Sequence, residues 1–144
     1  MSITKEEMRK LQVLQNKSLR LISGLGYEAS TKLLLTSCNA LSVHQLVVYH
    51  TACQTYKIKQ SKYPTYHYER LFRNPSFKDS LNTRYTKNEI KRIDFKLSVA
   101  RSSYFYQAPQ VWSSLPKYVK SAKTIDAFKK KCKKWVIKNV SIKV

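Results

Sequence analysis

Apolar residues near the N-terminus recur at steps of three and four, which is the period of an amphipathic helix. The stripe consists of Met8, Leu11, Leu14, Ser18, Leu21, Ile22 and Leu25. The opposite face carries Arg9, Lys10, Lys17 and Arg20. Thr4 and Glu7 have the spacing of a capping box, and Gly24 follows the stripe with the backbone freedom to end a helix. The pattern therefore predicts a first helix from about Thr4 to Gly24.

Two more helices are predicted before residue 60. Ser30 can cap a short helix that ends near Asn39, and Ser42 can cap a longer one. One side of the longer helix is marked by Val43, Leu46, Val47, His50, Cys53 and Tyr56 or Lys57. The simplest packing is a helical hairpin over residues 1–60, in which the short helix bridges the other two.

The helical period is lost over residues 61–89. Prolines, Ser, Thr and Asn predict irregular structure there, with one helical turn at Tyr68 to Phe72. Basic residues alternate with aromatic ones, an arrangement that suits single-stranded nucleic acid because rings stack on bases while cations follow the phosphates. Tyrosines that pack onto a core would give the same composition, so both interpretations stay open.

Residues 90–107 are predicted to form a two-stranded antiparallel β-ribbon. Ile93, Phe95 and Leu97 alternate with polar residues, which is the period of a strand. A second, aromatic strand follows, with Tyr104 and Tyr106 on one side and Phe105 on the other. Because an isolated ribbon is unstable, it is predicted to lie on the helices.

Residues 108–144 are predicted to be helical again. Pro109 can begin a short helix that ends near Leu115, and Thr124 can cap a final helix. The apolar stripe of the final helix is Ile125, Phe128, Cys132, Trp135 and Val136. The residues predicted to lie in the core of this part are Phe105, Trp112 and Leu115. The predicted fold class is mostly α (α+β), a single domain over residues 1–144 with a short β-ribbon and a basic C-terminal helix.

The charge of the chain points to its partner. Lys and Arg number 28 against 8 Asp and Glu, a formal net charge of +20 at pH 7, which repels itself unless a polyanion or salt screens it. Nucleic acid is the commonest such polyanion, and it binds cationic proteins because each neutralised phosphate releases counterions. An anionic membrane is the alternative ligand. The cations predicted to contact phosphate are Lys129, Lys130, Lys131, Lys133, Lys134, Arg70, Arg73, Arg84 and Lys87. Tyr104 and Tyr106 stay open between base stacking and packing.

No residue pattern in the sequence points to catalysis, a metal or a cofactor. The chain has two glycines, which excludes a Gly-rich phosphate loop, and it has no acidic triad for paired magnesium ions. Cys38, Cys53 and Cys132 are odd in number and widely spaced, which favours buried thiols over a disulfide framework or zinc site. We expect a non-enzymatic protein without a metal, cofactor, small-molecule substrate, membrane span or secretory signal. The expected compartment is nuclear or cytoplasmic, and the KKKCKK run suits nuclear import.

The string RSSYFYQAPQVWSSLPKYVKSAKTIDAFKKKCKKW, residues 101–135, resembles the extreme C-terminal segment of the polyproteins of LINE-type, non-LTR retrotransposons. That segment has an Arg-Ser-Phe-rich strand, a Pro-x-x-Trp-Asn-x-Leu-Pro block and a lysine-rich helix. Residues 14–24 and 82–84 resemble two signatures upstream of it, so the likeness spans most of the chain in the same order. Gln107 and Ser113 depart from the Arg and Asn that are frequent there. The resemblance implies a nucleic-acid-handling appendage that follows a reverse transcriptase and lacks its catalytic aspartates.

These observations predict a non-catalytic module that binds RNA or single-stranded DNA and derives from the C-terminal region of a retrotransposon reverse transcriptase. Such a chain is either a decayed fragment or a piece that a host has adopted. The alternative is a protein-interaction or host-adapted effector module that binds an acidic protein or an anionic membrane surface.

Overall fold

The computed structural model describes residues 5–72, 90 and 103–141, and the regular elements in these residues are all helices. The helices are α1 (Lys5–Ser23), α2 (Thr31–Ser37), α3 (Val43–Ser61), α4 (Thr65–Phe72), α5 (Tyr104–Ser114), α6 (Lys117–Lys120) and α7 (Ile125–Asn139). None of these described helices is long and apolar enough to cross a lipid bilayer. The mostly helical character predicted from the sequence is confirmed.

The first two helices have boundaries that local signals explain. α1 ends at Ser23, where Gly24 has a φ of 66° and donates its N–H to the carbonyl of Arg20 (3.0 Å). A positive φ is tolerated by glycine because it has no Cβ. At the start of α2, the Oγ of Ser30 accepts the N–H of Leu33 (3.3 Å). Both helices lie where the periodicity and the capping residues predict them.

The start of α3 is fixed by two buried side chains that cap each other. The Oγ of Ser42 accepts the N–H of Gln45 (3.3 Å), and the Oε1 of Gln45 accepts the N–H of Ser42 (3.0 Å). This is a reciprocal capping box, with Gln at its third helical position. The amide of Gln45 also donates to the carbonyl of Val140 (2.9 Å). The prediction that Ser42 caps α3 is therefore confirmed.

The two-stranded β-ribbon predicted over residues 90–107 is wrong. No residue of the described part forms a strand, and α5 begins at Tyr104 in the middle of the predicted second strand. Residues 91–102, which include most of the predicted first strand, lie outside the described residues. Ile90 is buried.

Packing explains why a helix forms where aromatic composition favoured a strand. Ser103 is the N-cap of α5, and its carbonyl accepts the N–H of Gln107 (3.1 Å). The helix brings Ala108 and Trp112, four residues apart, onto one buried face. Strand propensity reflects the fit to a half-buried pleated surface, and burial of Trp112 overrides it here.

Both α4 and α5 begin earlier in the chain than the sequence predicted. α4 covers Thr65–Phe72, whereas the sequence indicated one turn at its end. α5 contains Pro109, which was expected to begin a helix rather than to lie inside one. Proline has no N–H to donate to the carbonyl four residues earlier, that of Phe105, so α5 continues without that bond. Residues 73–89 of the predicted irregular segment lie outside the described residues.

The contacts divide the described residues into two compact units, which we call the terminal unit (residues 5–49 with 133–141) and the central unit (residues 50–72, 90 and 103–132). Three aromatic rings lie in the core of the central unit. The rings of Tyr56 and Phe128 stack with centroids 4.3 Å apart, and those of Trp112 and Phe128 lie 6.3 Å apart. The hydroxyl of Tyr56 donates to the carbonyl of Ala122 (2.7 Å). The single domain over residues 1–144 stays a prediction.

The core of the terminal unit is small and aliphatic. Leu19 of α1 packs with Leu34 and Leu35 of α2, and these three are buried. The partly buried residues around them are Leu25, Ala29, Cys38 and Ala40. This cluster joins α1 to α2 through a single apolar side chain of α1. The other two buried residues of α1, Gln12 and Asn16, are polar.

The amides of α1 form a network that fixes which side of the helix is buried. The side-chain amide of buried Gln12 donates to Gln15 (2.9 Å) and Asn16 (3.0 Å), and its Oε1 accepts the N–H of Val43 (2.9 Å). Gln15 and Asn16 in turn donate to the carbonyl of Leu41 (2.8 Å) and the Oγ1 of Thr31 (2.9 Å). Rotating α1 would leave buried amides unpaired. Leu11, Leu14, Leu21 and Ile22 of the predicted apolar stripe are consequently exposed, whereas Leu25 at its end packs against the core.

Candidate nucleic-acid interface

The final helix presents its lysines because its other side is buried. Phe128, Cys132 and Val136, four residues apart, have no exposed surface. At the start of α7, the Oγ1 of Thr124 accepts the N–H of Ala127 (3.2 Å), as expected of an N-cap. The predicted cap and the centre of the predicted apolar stripe of this helix are confirmed. Side chains on the opposite face of α7 therefore project into solvent.

Three exposed lysines follow each other along that face. Lys130, Lys134 and Lys138 are separated by four residues each, so they lie in a row on the surface of the helix. We call them the lysine row. Two of the three belong to the set predicted from the sequence, and Lys138 joins them through the same spacing. None of the three has an ion-pair partner among the residues that the structure describes.

The other predicted lysines of α7 have partners within the protein. Lys129 forms an ion pair with Asp126 (3.5 Å). Lys131 donates to the carbonyl of Tyr118 (3.2 Å), and Lys133 donates to that of Asn39 (3.1 Å). Each bond satisfies one of the three donors of an ammonium group, so these cations retain donors for a phosphate. Their positions are nevertheless set by the fold, whereas the lysine row is free to follow a ligand.

Arg70 is part of an aromatic cluster. Its guanidinium lies 4.8 Å from the ring centroid of Phe105 and 5.7 Å from that of Tyr66, and it donates a hydrogen bond to the Tyr66 hydroxyl. His67 stacks on Phe105 in the same cluster, with centroids 5.1 Å apart. Arg70 remains exposed and keeps donors for a phosphate. Arg73, Arg84 and Lys87, also predicted to contact phosphate, lie outside the described residues.

Tyr104 and Tyr106 do not share a surface. They lie two residues apart on α5, and a helix turns such residues to nearly opposite sides. The Tyr104 hydroxyl shares a hydrogen bond with the Oγ1 of Thr55 (2.9 Å). Burial raises the pKa of Tyr104, and the bond to Thr55 partly opposes this shift. Tyr106 is half-buried. The packing interpretation, which the sequence left open beside stacking, fits Tyr104 best.

Trp112 lies in the core, as predicted, and also meets two cations. Its ring centroid is 5.3 Å from the ammonium nitrogen of Lys59 and 5.8 Å from that of Lys120. Burial lowers the pKa of Lys59, since a partly desolvated ammonium is harder to keep charged. Leu115 is buried too, whereas Phe105 is only half-buried. The core prediction is confirmed for Trp112 and Leu115.

The central unit also contains a cleft that the sequence pattern did not predict. It is a cavity of about 670 Å³, and its lining includes Lys57, Gln60, Tyr63 and Lys123. Tyr63 is 73 % exposed. An exposed ring can stack on a base, amides can bond the base edge, and the lysines can meet a phosphate. The four residues span 57–123 in the sequence, so only the folded chain brings them together.

Among the residues that the structure describes, no three His, Cys, Asp or Glu side chains come together as metal ligands. Cys53 and Cys132 are buried, and a hydrogen bond between them, together with burial, raises the pKa of Cys132. A thiol held in its protonated form is a poor nucleophile and a poor metal ligand. Cys53 and Cys132 are thus part of the buried core.

Comparisons with known proteins add no functional assignment. No protein family matches the chain, no curated protein matches it, and no solved structure matches its fold. The resemblance to the C-terminal region of LINE-type polyproteins therefore stays a prediction.

Proposed function

We propose that this protein is a non-catalytic module that binds single-stranded nucleic acid, RNA or DNA, through the exposed face of α7. The observation that carries this proposal is the lysine row of Lys130, Lys134 and Lys138. Three ammonium groups at one-turn intervals along a helix match a ligand with repeated negative charges, because each can neutralise one phosphate.

The local charge balance supports the same function. Between residues 103 and 141 the acidic residue is Asp126, against nine lysines, which are Lys117, Lys120, Lys123, Lys129, Lys130, Lys131, Lys133, Lys134 and Lys138. Asp126 is already paired with Lys129. The charge of this part of the chain therefore has to be balanced by salt or by an external anion.

The cleft lined by Gln60 and Tyr63 supports single-stranded over duplex ligands. Stacking on Tyr63 requires an unpaired base, since the bases of a duplex already stack on each other. The resemblance to a reverse transcriptase appendage agrees with this choice. We propose on the same grounds that the module originated in a retrotransposon and acts in the nucleus or cytoplasm.

The test is an electrophoretic comparison of single-stranded RNA, single-stranded DNA and duplex DNA at two salt concentrations. We expect the single strands to bind more tightly than the duplex, with affinity that falls steeply with salt. The variant Lys130→Glu/Lys134→Glu/Lys138→Glu should reduce the slope of log affinity against log salt by about 2, because three phosphate contacts are lost. Its affinity at low salt should fall by more than about tenfold.

A matched control separates a specific surface from net charge. Lys10→Glu/Lys17→Glu/Lys32→Glu alters exposed cations of α1 and α2 and changes the net charge equally. We expect this control to keep most of the affinity and the salt slope. Equal losses in the two variants would show that binding follows net charge alone and would remove the assignment to α7. Competition by anionic vesicles as effective as that by RNA would favour a membrane ligand instead.

A further inference from the structure

α1 exposes the apolar side chains that an amphipathic helix normally buries. Leu14 is 58 % exposed, Leu21 is 87 % exposed and Ile22 is 75 % exposed, and Leu11 is also exposed. Isolated apolar residues on a surface are ordinary, but several on one helical face mark an interaction site.

The exposed residues form one continuous seam. Leu11, Leu14, Ser18 and Leu21 follow at steps of three, four and three, the spacing with which one helix packs along another. The hydroxyl of Ser18 donates to the carbonyl of Leu14 (3.2 Å), so the one polar side chain in the seam has its donor satisfied within the helix. The seam can therefore be covered without leaving that donor unpaired.

The seam has no alternative position inside the terminal unit. The amides of Gln12 and Asn16 hold the opposite side of α1 in place through the hydrogen bonds to Val43 and Thr31 described above. Covering the seam therefore requires another molecule or segment to approach α1.

The charges beside the seam select the kind of partner. Lys10 and Lys17, which the sequence pattern placed on the face opposite the apolar stripe, each lie four residues before a seam leucine, Leu14 or Leu21, so they border one edge of the seam. Both are exposed and have no ion-pair partner among the described residues. A partner with carboxylates at the matching edge would gain attraction there. A second copy would bring another net charge of +20 and the same two lysines, which disfavours self-association.

We propose that α1 is a docking surface for an amphipathic helix of another protein, one with an apolar stripe bordered by Asp or Glu. Docking of this kind uses apolar anchors at one-turn spacing. The acidic edge of the partner pairs with Lys10 and Lys17. The residues of this site belong to α1 and none of them is part of the lysine row of α7, so variants of the two sites can be tested independently.

The test uses a labelled synthetic helix-forming peptide of about three heptads. Each heptad has Leu at its two apolar positions, a and d, and Glu at the positions that flank them. Fluorescence anisotropy measures its binding to the intact chain. We expect saturable binding that weakens by at least about tenfold in Leu14→Ser/Leu21→Ser, which alters no charge. Lys10→Gln/Lys17→Gln should weaken binding by a smaller factor and reduce its salt dependence.

Two controls guard against attraction by charge alone. Leu33→Ser/Ile137→Ser removes two apolar side chains that are each 51 % exposed and lie outside the seam, and it should bind the peptide as the wild type does. A peptide of the same composition with its Leu positions scrambled should bind at least about tenfold more weakly. Equal binding of the scrambled peptide, or unchanged binding by Leu14→Ser/Leu21→Ser, would overturn the proposal.

The other occupants of the seam give distinct results. A dimer of the chain alone in sedimentation, dissociated by Leu14→Ser/Leu21→Ser, would show that a second copy covers the seam. In another outcome, the peptide fails to bind while Leu14→Ser/Leu21→Ser lowers the melting temperature as much as a core truncation does. That pair of results would show that the chain covers its own seam. Either result overturns the proposal, while failure of nucleic-acid binding leaves it unaffected.

Discussion

α1 and α7 carry similar sequence patterns and use them in opposite ways. Each has an apolar stripe at helical spacing and cations on the remaining faces. In α7 the stripe is buried through Phe128 and the lysines face solvent, whereas in α1 the stripe leucines Leu11, Leu14 and Leu21 face solvent and Leu19, outside the stripe, is buried. Periodicity thus identifies a helix and its two faces, but it does not decide which face is covered.

The difference lies in what each helix meets on its buried side. α7 meets the rings of Tyr56 and Trp112, and an apolar side chain is the best complement to those surfaces. α1 meets backbone polar groups, the N–H of Val43 and the carbonyl of Leu41, which need hydrogen-bond partners. Gln12 and Gln15 provide these bonds. The exposed apolar side chains of α1 take no part in these hydrogen bonds and are available to contact a binding partner.

The largest expected effect comes from the buried ring of α7. Phe128→Ala should lower the free energy of unfolding by about 3 to 5 kcal/mol, because it removes a fully buried ring and leaves a cavity between Tyr56 and Trp112. Chemical denaturation measures the change. A loss below about 1 kcal/mol would mean that the core of the central unit is not packed as described.

A smaller loss is expected from the amide network under α1. Gln12→Ala should destabilise by about 1 to 3 kcal/mol, since the N–H of Val43 and the side chain of Asn16 lose a buried partner. Gln54→Ala, which changes an exposed glutamine of α3, is the matched control and should have almost no effect. Equal effects in the two variants would contradict the role of Gln12 in fixing the rotation of α1.

The smallest effect is expected from the most exposed leucine. Leu21→Ser should change the free energy of unfolding of the isolated chain by no more than about 0.5 kcal/mol, because little surface is buried at that position. Thermal and chemical denaturation of wild type and variant give the comparison. A loss similar to that of Phe128→Ala would show that α1 and α7 bury their stripes alike.

The sequence predicts what depends on near neighbours in the chain. Ser30, Ser42 and Thr124 act on N–H groups three residues ahead, so their capping roles could be predicted and are confirmed. The termination of α1 at Gly24 has the same local origin.

The sequence does not predict what depends on distant packing. The predicted second strand of the ribbon is part of α5, whose Trp112 meets Phe128 of α7, and no local signal shows that contact. The exposed side of α1 depends on Gln12 meeting Val43, which is 31 residues away. The candidate site divides in the same way, since the spacing of Lys130 and Lys134 is visible in the sequence, whereas the partners of Lys131 and Lys133 are not.

Gln45 has a consequence for where the chain can be shortened. Its side chain closes the cap of α3 with one end and, with the other, binds the carbonyl of Val140 just beyond α7. Deleting the final residues back to Asn139 would strip this buried amide of its acceptor and loosen the beginning of a helix some ninety positions earlier in the polypeptide. A C-terminal truncation or a C-terminal affinity tag should therefore leave the chain intact through Val140.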